Sequence, residues 1–164
     1  MKRLILLALT ALIFLSLAGS STATLAQQSR GKAAQVALTT LLEKTGYSYK
    51  KISDGVYEVP ATGTNIKEFP LRLVQAGDLI LVIYKIADRK DVSIREEFAV
   101  KLLELNDNYD VVKFALSAEM LYTRIDMHAR VVDAEELKYL IELSAQVVDE
   151  AYPQLKPFIA GAKQ

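Results

Sequence analysis

The chain carries one histidine and no cysteine, so acid–base, nucleophilic or metal chemistry would have to come from His128, carboxylates, hydroxyls and amines. His128 sits in "LYTRIDMHARVV" with Asp126 two residues before it. A histidine general base needs a group that holds its tautomer and a substrate proton within hydrogen-bond reach. Two residues along an extended strand are about 6.5 Å apart, too far for the backbone to set a direct His–Asp pair. No Gly-x-Ser-x-Gly is present to hold a nucleophilic serine on a strained turn. The best carboxylate cluster is "NDNYD", Asn106 to Asp110. Read as an EF-hand loop it would need Gly at 111 and Glu at 117, where the chain has Val111 and Ser117. It reads more simply as a helix stop, with Asn and Asp bonding the local backbone. The absence of Cys rules out thiol nucleophiles, Zn–Cys sites, iron–sulfur clusters and c-type haem. The glycines are scattered singly, so neither a P-loop nor a dinucleotide fingerprint exists. We therefore expect no catalytic residue, no cofactor and no metal.

The elements that position His128 are legible from period. From Leu121 to Val131 the odd positions Leu121, Thr123, Ile125, Met127, Ala129 and Val131 alternate with Tyr122, Arg124, Asp126, His128 and Arg130. That is the period of a half-buried strand. Its polar face, joined by Arg72 and Lys113 from neighbouring strands, holds four basic residues and one acid. The strand from Leu79 to Ala87 is apolar on both sides, as expected for a central strand covered twice. Apolar area from that strand, from Ile80, Val82, Tyr84 and Ile86 or from their alternates, should therefore appear on the polar face among arginines and tyrosine, with Tyr84 taken as the contact residue. That is the make-up of a protein contact. The expected partner-binding set is Arg72, Tyr84, Lys113, Tyr122, Arg124, Asp126, His128 and Arg130.

The N-terminus reads as an export signal: Lys2 and Arg3, an apolar run from Leu4 to Ala18, then small residues with Thr24 and Ala26 at the cleavage positions, the alternatives being a cut after Ala23 or a retained membrane anchor. Removing 26 of the 164 residues leaves 138, enough for one domain, 27–164. The signal holds two of the 20 Lys and Arg and none of the 20 Asp and Glu, so the remainder is near −2. That balance gives no bulk attraction to nucleic acid or, after cleavage, to a membrane. The eight Tyr and five Phe fit strands better than base-stacking platforms.

Along the remainder, a first helix is expected over 31–44, ending at Gly46. Asp54-Gly55 turns a hairpin, and Ala76-Gly77 turns a second. Pro70 suits a strand start or an edge. Ser93 with Glu96 reads as the capping box of a second helix lined by Ile94, Phe98, Leu102 and Leu105. A hairpin about Ala118-Glu119 follows, with Val112, Phe114 and Leu116 inward. Asp133 with Glu136 starts a last helix, which Pro153 should break or kink. The order α-β-β-β-β-α-β-β-α, with tight turns between strands, specifies α+β: an antiparallel sheet packed by three helices.

This succession resembles the YbjN family, whose fold is shared with the type III secretion chaperones. The resemblance rests on Leu-x-x-Asn at Leu103 to Asn106, a short-turned hairpin, Val-Asp-x-Glu-Glu-Leu at Val132 to Leu137, and Tyr152-Pro153. It implies a non-catalytic module that binds a peptide or protein segment, often as a homodimer, and that is chaperone-like or regulator-like. An export signal departs from the cytoplasmic secretion chaperones and points to a periplasmic or extracellular site. The alternative expectation is a small-molecule sensor with its ligand in a groove between helices and sheet.

Overall fold

The computed structural model describes residues 38–161; the signal segment 1–26 and the first turns of the expected N-terminal helix lie outside them. Within that span α1 (38–45) leads into a meander of β1 (Lys50–Ser53), β2 (Val56–Ala61), β3 (Phe69–Ala76) and β4 (Leu79–Asp88). Then come α2 (Glu96–Asn108), the hairpin β5 (Lys113–Leu116) and β6 (Met120–His128), and the 22-residue α3 (Ala134–Leu155). The strands form one antiparallel sheet in the order β1-β2-β3-β4-β6-β5. The fold is α+β, with the expected element order.

Turn chemistry sets the register. Gly55 and Gly77 take positive φ at the two meander turns, the conformation a tight hairpin needs and other residues resist. The second turn is Gly77-Asp78, one residue later than the expected Ala76-Gly77, because Ala76 still pairs with Leu79. Ser117 Oγ accepts from the N–H groups of Glu119 and Met120 and closes the β5–β6 turn where expected.

One face of the sheet makes the core. Tyr57, Val59, Phe69, Leu71, Leu73, Ile80, Val82, Phe114, Leu121, Ile125 and Met127 are buried in one cluster with Leu38, Leu42, Phe98, Leu105, Leu137, Leu140, Ile141 and Val148 of the helices. The polar alternates of the strands therefore face away from the helices. In β4 the residue pair Lys85/Ala87 spans a register shift, a bulge that lets both Ile86 and Ala87 pack against the core.

Two expected helix signals resolve differently. Ser93 does not cap α2: Arg95 is the N-cap residue and no side chain caps it. Backbone pairing explains why. The Ser93 N–H goes to Phe158 O, Ala160 N–H goes to Asp91 O, and Val92 bridges Ile159, so this segment is held extended by the chain after α3. Ile94 is consequently 45% exposed instead of joining the core. Pro153 does not break α3, which continues to Leu155. A proline there leaves the carbonyl four residues back, Asp149 O, without its helical donor. Asn65 Nδ2 supplies a replacement at 3.0 Å. Asp133 does cap α3, accepting from Glu136 N at 2.8 Å.

Candidate functional site

Cross-strand pairing assembles the outer face row by row, since residues directly opposite share a side of the sheet. One row crosses all six strands: Lys50, Glu58, Arg72, Ile83, Arg124, Lys113. The next is Val56, Val74, Leu81, Asp126, three apolar residues and one acid. Leu81 is only 8% exposed and lies outside the core cluster; its neighbours on the outer face shield it. Val56, Val74 and Ile83 are half-buried. Above them runs a trough of about 660 Å³ flanked by Ile52, Pro70, Arg72, Lys85 and Met120. Among the described residues the helices pack on the other side of the sheet, so this floor is roofed by none of them. The expected second cover of β4 is missing for that reason.

Three cations of this face are held in exposed ion pairs. Arg72 Nη2 donates to Glu58 Oε1 at 2.8 Å, and Lys85 pairs with Asp88 at 2.8 Å. Arg124 Nε donates to Asp126, which holds the guanidinium even further above its usual range. That bond also answers the question posed by His128. Asp126, its one acidic companion on the strand face, is engaged by Arg124, and His128 lies exposed at the strand end opposite Leu79. Tyr122 is half-buried on the same face.

Two of the expected contact residues, Tyr84 and Arg130, lie off this face, and a third, Lys113, is on it but engaged elsewhere. Tyr84 faces inward: it pairs with the fully buried Thr123 and packs edge-on against Phe69 at 5.0 Å between ring centres. Burial pushes its hydroxyl pKa up, with Tyr152 of α3 adding to the shift. The parity of a two-residue turn carries the signal, because with Arg72 outward its partner is Ile83, not Tyr84. Arg130 lies beyond the end of β6, exposed in the turn before α3. Lys113 is on the face by register, but its Nζ donates to the carbonyls of Asn106 and Tyr109 at 3.2 and 2.9 Å, a cation on the carboxyl end of α2. Arg72, Tyr122, Arg124, Asp126 and His128 are on the face as expected. Of the two alternating sets that β4 offers, the register turns Leu81 and Ile83 outward, and Lys50, Val56 and Val74 of β1 to β3, not among the expected contact residues, join them.

The groove between helices and sheet that a small-molecule sensor would use is filled by the core cluster. A recess of about 720 Å³ instead opens at the sheet's surface, beside Tyr49, Pro60, Phe69 and Pro70. Pro60 and Pro70 face each other across β2 and β3. Neither has an N–H to give to its other neighbour, so β1–β2 pairing stops at Glu58 and β3–β4 pairing at Arg72. The sheet opens there as a result.

No group of three His, Cys, Asp or Glu among the described residues is placed to hold a metal ion. None of the described helices is long and apolar enough to cross a membrane. What the face offers is an apolar floor with guanidinium and ammonium groups on its margins, which suits contact with another polypeptide.

No family model and no curated protein matches the sequence. Solved structures do. The chain is similar in fold to YbjN. That protein, from E. coli and described as a candidate transcription regulator, is 15% identical, with a TM-score of 0.48 over 73% of this chain and 91% of YbjN. A chain of the heterodimeric ExoU–SpcU complex from the type III secretion system of Pseudomonas aeruginosa is 16% identical, with a TM-score of 0.49 over 73% of this chain and 95% of its own. The likeness concerns fold alone.

Proposed function

We propose that this protein is an exported, non-catalytic module that binds a peptide or protein segment on the outer face of its sheet, in a periplasm or outside the cell. One observation carries the reading: the central strand presents Ile83, with Val56 and Val74 beside it, on a face that the described helices leave open. Apolar side chains supply affinity once water is displaced, and Arg72, Arg124 and Tyr122 supply orientation. A rigid six-stranded floor keeps the ordering cost of binding low. The signal-like N-terminus supports export. A second copy of the chain is a candidate for the bound segment.

The test uses protein recovered from its own host's exported fraction, whose first residue should be Gln27. Ile83→Asp and Arg124→Glu should each weaken the association with a co-purifying partner by at least about tenfold while circular dichroism and Tm stay near wild type. Unchanged association in both variants, or recovery of the chain only from the cytoplasm with Met1 in place, defeats the corresponding part of the proposal.

A further inference from the structure

The occupant of this face can be narrowed from its charge pattern, an inference that rests on the binding role proposed above. The chain as a whole is charge-balanced, with 20 Lys and Arg against 20 Asp and Glu. The outer face is not: Lys50, Arg72, Lys85, Lys113 and Arg124 stand against Glu58, Asp88 and Asp126, five cations to three carboxylates. Lys113 is committed to helix carbonyls. Arg72 and Arg124 are not used up in the same way. Each meets its intramolecular carboxylate through one nitrogen, in an exposed pair that solvent screens and that contributes little. Further N–H donors of each guanidinium fork remain to meet an incoming carboxylate.

Spacing adds a second constraint. Arg72 and Arg124 lie on either side of Ile83 on successive strands, so their backbones are separated by about 10 Å, two strand spacings. A helix places residues i and i+7 about 10.5 Å apart on one side, with i+3 and i+4 between them. An extended segment places same-side residues about 7 Å apart, a poorer match to this interval. The apolar floor around Ile83 also distinguishes the face from a polyphosphate track, where an apolar centre has nothing to meet.

We propose that the outer face takes an acidic amphipathic helix of a partner protein, with Asp or Glu at i and i+7 over Arg72 and Arg124 and apolar residues at i+3 and i+4 over Ile83 and Val74. The helix lies along the row, across the strands.

The test titrates the full chain with three synthetic helical peptides that share Leu at i+3 and i+4 and differ at i and i+7, carrying Glu, Gln or Lys. Fluorescence anisotropy should show the Glu peptide binding at least about tenfold more tightly than the Gln peptide, with affinity falling as salt screens the contact. Arg72→Glu with Arg124→Glu should reverse the preference toward the Lys peptide, a readout that simple unfolding does not produce. Equal binding of the Glu and Gln peptides overturns the acidic assignment and leaves the binding face standing. Absence of binding by any peptide, with a co-purifying partner still sensitive to Ile83→Asp, overturns the helix alone. Tighter binding to anionic vesicles or single-stranded DNA than to the Glu peptide overturns it as well. So does a concentration-dependent doubling of mass abolished by Ile83→Asp, which makes a second copy the occupant.

Discussion

Asp149 is the most consequential single residue outside the proposed interface. It is a buried carboxylate in α3 that accepts from the backbone N–H groups of Thr64, Asn65 and Ile66 at 2.9, 2.8 and 2.7 Å. Burial raises its pKa, but these bonds outweigh burial and hold it below the usual 3.8. A carboxyl group with a folded pKa below its unfolded value stabilises the fold above the unfolded value and loses that contribution as pH falls through the folded one. Stability from Asp149 should thus be full at neutral pH and decay in the acid range below 3.8. Asp149→Ala should cost about 2 kcal/mol, because three backbone donors lose a charged acceptor. Denaturant titration at neutral pH checks this, and the difference from wild type should shrink at acidic pH. Gly63 belongs to the same arrangement: a Cβ there would meet Asp149 Oδ1 at 2.2 Å, so no larger residue fits while the loop holds the carboxylate.

At the scale of elements, the end of α2 protects an edge of the sheet. Asn106 donates through Nδ2 to Phe114 O at 2.9 Å and accepts from Phe114 N at 2.8 Å. Its side-chain amide thereby pairs with the outermost strand as a neighbouring strand would, and blunts a template for aggregation. This gives Leu-x-x-Asn, a motif with no chemical signature, a structural purpose. Asn106→Leu, of similar size, removes both bonds and should lower stability by about 1–3 kcal/mol. Light scattering of concentrated protein should also show faster self-association than wild type. Unchanged stability together with unchanged scattering would mean the edge needs no such cover. The β2–β3 connection is fastened in a comparable way. Asn65 fills the carbonyl that Pro153 leaves open, so the residue that should break α3 instead provides an anchor for a loop.

At the scale of the molecule, adjacent residues of β4 report on its two sides. Tyr84 packs against Phe69 and pairs with the buried Thr123 on the side of α3, whereas Ile83 stands in the outward row between Arg72 and Arg124. Tyr84→Asp would bury an unpaired carboxylate and should destabilise the fold by about 3 kcal/mol or more. Ile83→Asp should leave Tm close to wild type while removing binding. Thermal melts of the two variants, run side by side, separate an open face from one closed by the chain itself. Equal destabilisation would contradict the proposed function.

What local sequence determined was the parts: period two in β6, the glycine turns that close the meander, the Asp133 cap, and hence an α+β chain with an antiparallel sheet. These follow from interactions within a few residues. Tertiary structure decided which side of β4 is open, since a strand apolar on both sides from Leu79 to Ile83 carries no phase there and takes one from its neighbours' register. It decided that Ser93 would pair with the segment after α3 and not cap α2, that Pro153 would be tolerated, and that Asn106 and Asp149 would act on segments 8 and 83 to 85 residues away. Each of these is a contact between distant parts of the chain, and only the packed arrangement of helices against sheet brings those parts within reach.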